Sequence, residues 1–181
     1  MAYYNIIEYI TIATTSDTTD FGDLTVTRGT MASGSNKTRG LWFGGTDGSF
    51  KDTIDYVNIA STGNASDFGD LLAATSDTSA CSDDTKVVVV GGNSPSGTPI
   101  NILQYVNAAS TGNSTDFGDL LSATWYCVGM SNGTRGISGG GYTGSTIDVI
   151  QYWVMASLGN ASDFGDLSQV KSEIGQGISG D

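Results

Sequence analysis

The tetrapeptide Asp-Phe-Gly-Asp occurs four times, at Asp20-Phe21-Gly22-Asp23, Asp67-Phe68-Gly69-Asp70, Asp116-Phe117-Gly118-Asp119 and Asp163-Phe164-Gly165-Asp166. The copies step along the chain by 47, 49 and 47 residues. A period that long belongs to stacked supersecondary units, none of which buries its apolar face alone. The chain must therefore fold as an array in which each unit completes its neighbour's core.

The register between copies is tight. Segments 23–38, 70–85 and 119–134 align without gaps, and Tyr9, Tyr56, Tyr105 and Tyr152 each precede their unit's Phe by 12 residues. The insertion falls after Gly91-Gly92, at Asn93-Ser94-Pro95-Ser96-Gly97. Insertions sit in exposed connections, so this one marks a loop. The units run approximately 1–38, 39–85, 86–134 and 135–181, within a single repeat domain.

Each unit offers four strand candidates. A diglycine strand appears at 39–45, at 86–90 before Gly91-Gly92, and at 135–140. A Tyr strand appears at 6–12, 53–59, 102–108 and 147–154. The third carries the tetrapeptide, entered through turns such as Thr62-Gly63-Asn64-Ala65-Ser66, and the fourth follows it, at 72–81 and 121–130. The first two classes are apolar on both faces, as in the run Val87–Val90, which reads as a strand covered on both sides. The tetrapeptide strand is short and polar, as an edge facing water should be.

With 26 glycines and only 14% charged residues, the chain suits many short strands and tight turns rather than helices. The expected fold is all-β: a β-propeller of four-stranded blades, about four repeats, with one blade split between the termini. The diglycines would lie where backbones crowd towards the axis. Residues 1–38 supply the split blade's Tyr and tetrapeptide strands and 168–174 its following strand, while its diglycine strand has no evident donor. A neighbouring subunit could complete the ring, or several chains could build a larger one. The last repeat is also atypical, with Gln169, Lys171, Glu173 and Gln176 in place of apolar or hydroxyl residues.

Charge narrows the partners. The net charge is −12 with seven basic residues and no His, which argues against nucleic acid, whose phosphates need clustered Lys and Arg. No apolar run reaches membrane-spanning length, and residues 1–12 lack the basic start and cleavage site of a signal peptide. Cys81 and Cys127 lie three positions apart in repeat register and would face opposite sides of a strand, so free thiols in a reducing compartment are expected.

The chemical motifs are structural in this reading. Asp-Phe-Gly also marks the magnesium site of protein kinases, but a chain without His lacks their His-Arg-Asp loop in its usual form. The Phe is expected to anchor between blades, the Gly to permit a bend, and the Asp pair to solvate the rim. Oxygens at Asn64, Asp67 and Asp70, and at the matching positions of later units, are dispersed along a strand and unsuited to calcium. The Asn-X-Ser/Thr sites at Asn36, Asn64, Asn113, Asn132 and Asn160 read as turn formers, Asn taking the left-handed conformation and bonding its own backbone. No nucleophile–base arrangement, metal site or cofactor site is predicted, and the chain reads as non-enzymatic.

The run from Thr53 to Leu71, following Gly44-Gly45, resembles the kelch-like repeats of virion proteins from marine tailed bacteriophages, cyanophages especially. The resemblance covers nearly the whole chain, with a wider Tyr–Phe separation than ordinary kelch units have. It implies a rigid propeller on a phage particle, made in the host cytoplasm and carried in the virion as a capsid decoration or tail-associated module. The partners it implies are other capsid or tail proteins, or further copies of the chain. The alternative is a lectin-like propeller that binds host-surface glycans, with Tyr142, Trp125, Tyr126 and Trp153 as candidate stacking rings, although packing in the core or between blades is the favoured reading of those four.

Overall fold

The computed structural model describes residues 3–173, and among them there is no helix. Fourteen strands form four antiparallel sheets of two to four strands. The N-terminal sheet pairs β1 (Tyr4–Tyr9) with β2 (Thr19–Arg28). Sheet I has the order β3 (Ala32–Ser35), β4 (Arg39–Phe43), β5 (Thr53–Asn58), β6 (Ser66–Asp70). Sheet II repeats it with β7 (Ser79–Ser82), β8 (Lys86–Val90), β9 (Ile102–Asn107) and β10 (Thr115–Asp119). Sheet III does so with β11 (Val128–Ser131), β12 (Arg135–Gly139), β13 (Val149–Val154) and β14 (Ser162–Asp166).

The diglycine and Tyr strands occupy the middle of each sheet, as their two-sided apolar character requires. In β8 the alternation of side chains divides the valines between two cores. Val87 and Val89 join a cluster with Leu41, Phe43, Ile54 and Phe68 of sheet I. Val88 and Val90 join a second with Trp153 and Met155 of sheet III. Sheet II is thus buried on both faces, and every core of this array lies between sheets rather than within one.

Three expectations need correction. The fourth strand class is short: residues 72–78 and 121–127 are bends and irregular chain with one isolated bridge each, at Ser76 and Trp125, because their backbone bonds to the diglycine turns instead of to a strand. What remains, β7 and β11, pairs forward with the diglycine strand of the next unit, so each sheet straddles two sequence repeats. The first Tyr strand runs from Tyr4 to Tyr9 rather than to Ile12, and residues 168–173 form no strand; Ile174 and Gln176 lie outside the described residues.

The inner strands carry the stack, β7 contacting both β3 and β11. Just before them, Thr30, Asp77 and Tyr126 hold φ near 54° at one repeat position, as does Glu173. Asp77 N donates to Thr30 O at 2.9 Å and Tyr126 N to Asp77 O at 3.2 Å, linking units in sequence. The diglycines sit in the same crowded zone: Gly44 has φ 59°, and a Cβ there would come within 2.5 Å of Thr75 O.

Candidate functional site

The repeated tetrapeptide is a docking site for the next sheet. In β6, β10 and β14, the pairing skips the Phe, which is the extra residue of a bulge. The Phe swings onto the Tyr 12 residues earlier, edge to face, with ring centroids 5.7–5.9 Å apart in all four units. The bulge turns the Phe carbonyl and the second Asp's backbone outward, towards the turn of the following sheet.

That turn reads Thr-Gly-Asn-Ala or a close variant, and it makes the same bonds each time. Gly63 N donates to Phe21 O and Ala65 N to Asp23 O, both at 2.7 Å, while Asp23 N donates to Asn64 Oδ1 at 3.1 Å. Gly112, Asn113 and Ser114 repeat this on Phe68 and Asp70, and Gly159, Asn160 and Ala161 on Phe117 and Asp119. The tetrapeptide glycine makes the approach possible. Gly69 has φ 144°, and its absent Cβ would lie 2.6 Å from the carbonyl of Gly112. The first Asp of each copy faces solvent.

A second oxygen, immediately before each Tyr, locks the same interface. Asp55 Oδ2 accepts from Thr25 N at 3.1 Å, Gln104 Oε1 from Leu72 N at 2.9 Å, and Gln151 Oε1 from Leu121 N at 2.8 Å. Asp55 also holds Arg28 at 2.9 Å, both side chains fully buried. Burial pushes the Arg28 guanidinium below its ordinary value, an effect the Asp55 charge opposes. These residues were not singled out from sequence, although the signal was there: Glu8, Asp55, Gln104 and Gln151 share one repeat position.

The asparagines divide into two kinds. Asn36 and Asn132 bond their own turns, accepting from the backbone N of residues two and three further on. Asn64, Asn113 and Asn160 instead bond the preceding unit, and no Asn among the described residues has positive φ. The left-handed reading is therefore corrected for all five and the self-bonded reading for these three: among the described non-glycine residues, the positive-φ positions are Thr30, Asp77, Tyr126 and Glu173.

Three hairpin turns converge on a polar cleft of about 650 Å³, lined by Asn36, Lys37, Asp83, Asp84, Asn132 and Gly133 among others. Burial would raise the Asp83 carboxyl, but hydrogen bonds from Lys86 N and from the Thr85 hydroxyl and N hold it below the usual range. Lys37 and Asp84 meet at 2.8 Å in full solvent. The cleft is rich in amide and carboxylate groups and has no aromatic floor.

The aromatic candidates lie apart from it. Trp125 contacts Tyr126 and Tyr142 at centroid distances of 5.4 and 5.8 Å, all three half-buried, and Trp125 Nε1 is buried without a partner. Burial, then the charges of Asp77 and Glu173, raise the Tyr126 hydroxyl above its ordinary value. Trp153 does not belong with them. It is buried in the core between sheets II and III, its indole over Gly136, which is the packing reading of this ring rather than the binding one.

Cys81 and Cys127 are free and both buried in the core between sheets II and III. Burial, with Asp83 adding to it, pushes the Cys81 thiol up to about 12, and burial raises Cys127. Neither is a nucleophile at neutral pH. Among the described residues no group of three or more His, Cys, Asp or Glu side chains is placed to hold a metal. No helix among them is long and apolar enough to cross a membrane. No protein-family model matches the chain, and no curated protein matches it.

Proposed function

We propose that the chain is a non-enzymatic structural and interaction module of a bacteriophage particle, a capsid decoration or tail-associated protein. Its sheets are read as kelch-like propeller blades, with the N-terminal pair belonging to a fourth. One observation carries this reading. The repeated polar groups, from the tetrapeptide backbone to the oxygen before each Tyr, bond sheet to sheet and so build a stiff scaffold rather than a reaction centre. The likeness of the run Thr53–Leu71 to phage virion repeats supplies the setting, and the acidic rim gives an outer surface that stays hydrated.

Mass spectrometry and cryo-electron microscopy of purified particles of the encoding phage test this. The expected result is many copies at regular lattice positions or a fixed number at the tail; absence from the particle overturns it. The Trp125, Tyr126 and Tyr142 cluster favours one second reading, a glycan-binding propeller, because sugar faces stack on such rings. Glycan-array binding abolished by Trp125→Ala would move the assignment there.

A further inference from the structure

The docking device described above is complete three times within the chain and unmade once, and both halves of the unmade copy are present. At one end, β14 carries the fourth tetrapeptide with no turn of the described residues seated on it. Phe164 is 51% exposed, whereas Phe68 and Phe117 are 3% and 2% exposed beneath their neighbours. No described residue lies within 4 Å of where a Cβ of Gly165 would sit, although the same test at Gly22, Gly69 and Gly118 meets the backbone of a docked turn. Phe164 O and the Asp166 backbone occupy the repeat positions that receive a turn in the other units.

At the other end, the N-terminal sheet carries an unused turn in the same register. Ser16, Asp17 and Thr18 stand where Gly63, Asn64 and Ala65 stand in the next unit. Asp17 supplies a side-chain oxygen where Asn64 does, and Glu8 supplies the oxygen before the Tyr. The apolar face is laid bare to match. Ile12 is 95% exposed; its equivalents Ala108 and Met155, seated against complete four-stranded sheets, are fully buried, while Ile59, whose preceding sheet has only two strands, is 48% exposed. Ile10 is exposed too, where Val106 and Trp153 are buried. Arg39 and Lys86 each donate to the carbonyl of the Ile12 equivalent in the following sheet, at 3.1 and 3.2 Å. Arg135 holds the third such position.

We propose that the N-terminal sheet of one copy docks on β14 of a second copy, head to tail, rebuilding the unit-to-unit interface between molecules. Ser16 N then donates to Phe164 O, Thr18 N to Asp166 O, and Asp166 N to Asp17 Oδ1. Ser168 N donates to the Glu8 carboxylate, and Arg135 reaches the Ile12 carbonyl. Ile10 and Ile12 cover Phe164 as Val106 and Ala108 cover Phe68. A second copy, rather than the chain's own N-terminal sheet, is the occupant because within one molecule the two halves stand apart: with the N-terminal sheet seated on sheet I through Phe21, Asp23, Thr25 and Arg28, Phe164 is still 51% and Ile12 95% exposed. A head-to-tail contact of this kind closes into a ring or extends as a filament. The inference stands on the repeat geometry alone, so it is tested separately from the virion reading.

The test is sedimentation and native mass spectrometry of the 181-residue chain over a range of concentration, in at least physiological salt so that the −12 charges of the copies are screened. Association is expected, and Asp17→Asn, which installs the amide of the other turns, should tighten it. Ile12→Asp and Phe164→Asp should each weaken it by about tenfold or more. Each keeps one good end, so an equimolar mixture of the two should form a capped 1:1 dimer that neither forms alone. Circular dichroism and the melting curve of each monomer check that it is folded, and the mixture reads the interface even if one variant is somewhat destabilised. A strictly monomeric wild-type chain at all concentrations, the signature of intramolecular closure, overturns the proposal. So do oligomers that survive both substitutions.

Discussion

Gly118 and Gly165 occupy one repeat position with φ 150° and 138°, yet only Gly118 has a neighbour's backbone where a Cβ would go. The pair separates two costs that usually arrive together. Gly165→Ala meets only the conformational penalty of an L-residue in that region, about 1–3 kcal/mol. Gly118→Ala adds a collision with the Gly159–Asn160 backbone and the loss of the bonds that hold that turn, so its total should exceed the other by roughly 2 kcal/mol. Denaturant unfolding of both variants measures the difference; equal losses would mean that the docked turn adds no stability. The thiols give a second test at this scale. Because burial holds Cys81 near 12 and raises Cys127, a thiol reagent at pH 8 should label neither in the folded protein. Labelling should follow the unfolding rate and become complete in denaturant.

Among the elements, the contact between β2 and β5 differs from its copies. Where Thr75 with Gln104 and Thr124 with Gln151 hold the two repeat positions in the later units, this one has Arg28 bonded to Asp55, both without solvent contact. Asp55→Ala leaves the guanidinium buried beside only the carbonyls of Thr53 and Trp42, and should cost about 3–5 kcal/mol. The double change Arg28→Thr with Asp55→Gln installs the residues of the other units, whose Gln accepts from the backbone N equivalent to Thr25 N, and should recover most of that loss in the same unfolding experiment. A double variant as weak as Asp55→Ala would show that the ion pair has no neutral substitute there. The same elements mark what a sequence reader can see. The two-sided strands were legible because burial on both faces leaves an uninterrupted apolar run, as in Val87–Val90. The tetrapeptide's importance was legible from its period, and its role was not, because its partners lie in the next unit: Asn64 is 41 residues beyond Asp23, and Asn113 is 43 beyond Asp70. The short inner strands failed for a similar reason. Residues 72–78 resemble a strand in composition, but their backbone is claimed by the diglycine turns of adjacent units, a competition no local window contains.

Across the whole molecule, stability should be graded along the stack. A sheet with neighbours on both faces gains two apolar interfaces, whereas a sheet at either end of the described array gains one, so nearest-neighbour coupling favours the middle. Sheet II has Val87 and Val89 in one core and Val88 and Val90 in the other, while β1 is largely exposed and β14 leaves Phe164 half in solvent. Amide hydrogen exchange reports the free energy of local opening, which runs from near zero at fraying edges to the global value in the most enclosed strands. Under native conditions β8 and β9 should therefore exchange last, β4, β5, β12 and β13 sooner, and β1 and β14 first. The order also distinguishes a stack with two free ends from a sealed one. If the ends found each other within one molecule, β1 and β14 would be as enclosed as β5 and β10, and the gradient would flatten at every protein concentration. A gradient that is steep in dilute solution and flattens only as concentration rises would place the missing neighbour on another molecule, since only an intermolecular contact gains occupancy by mass action.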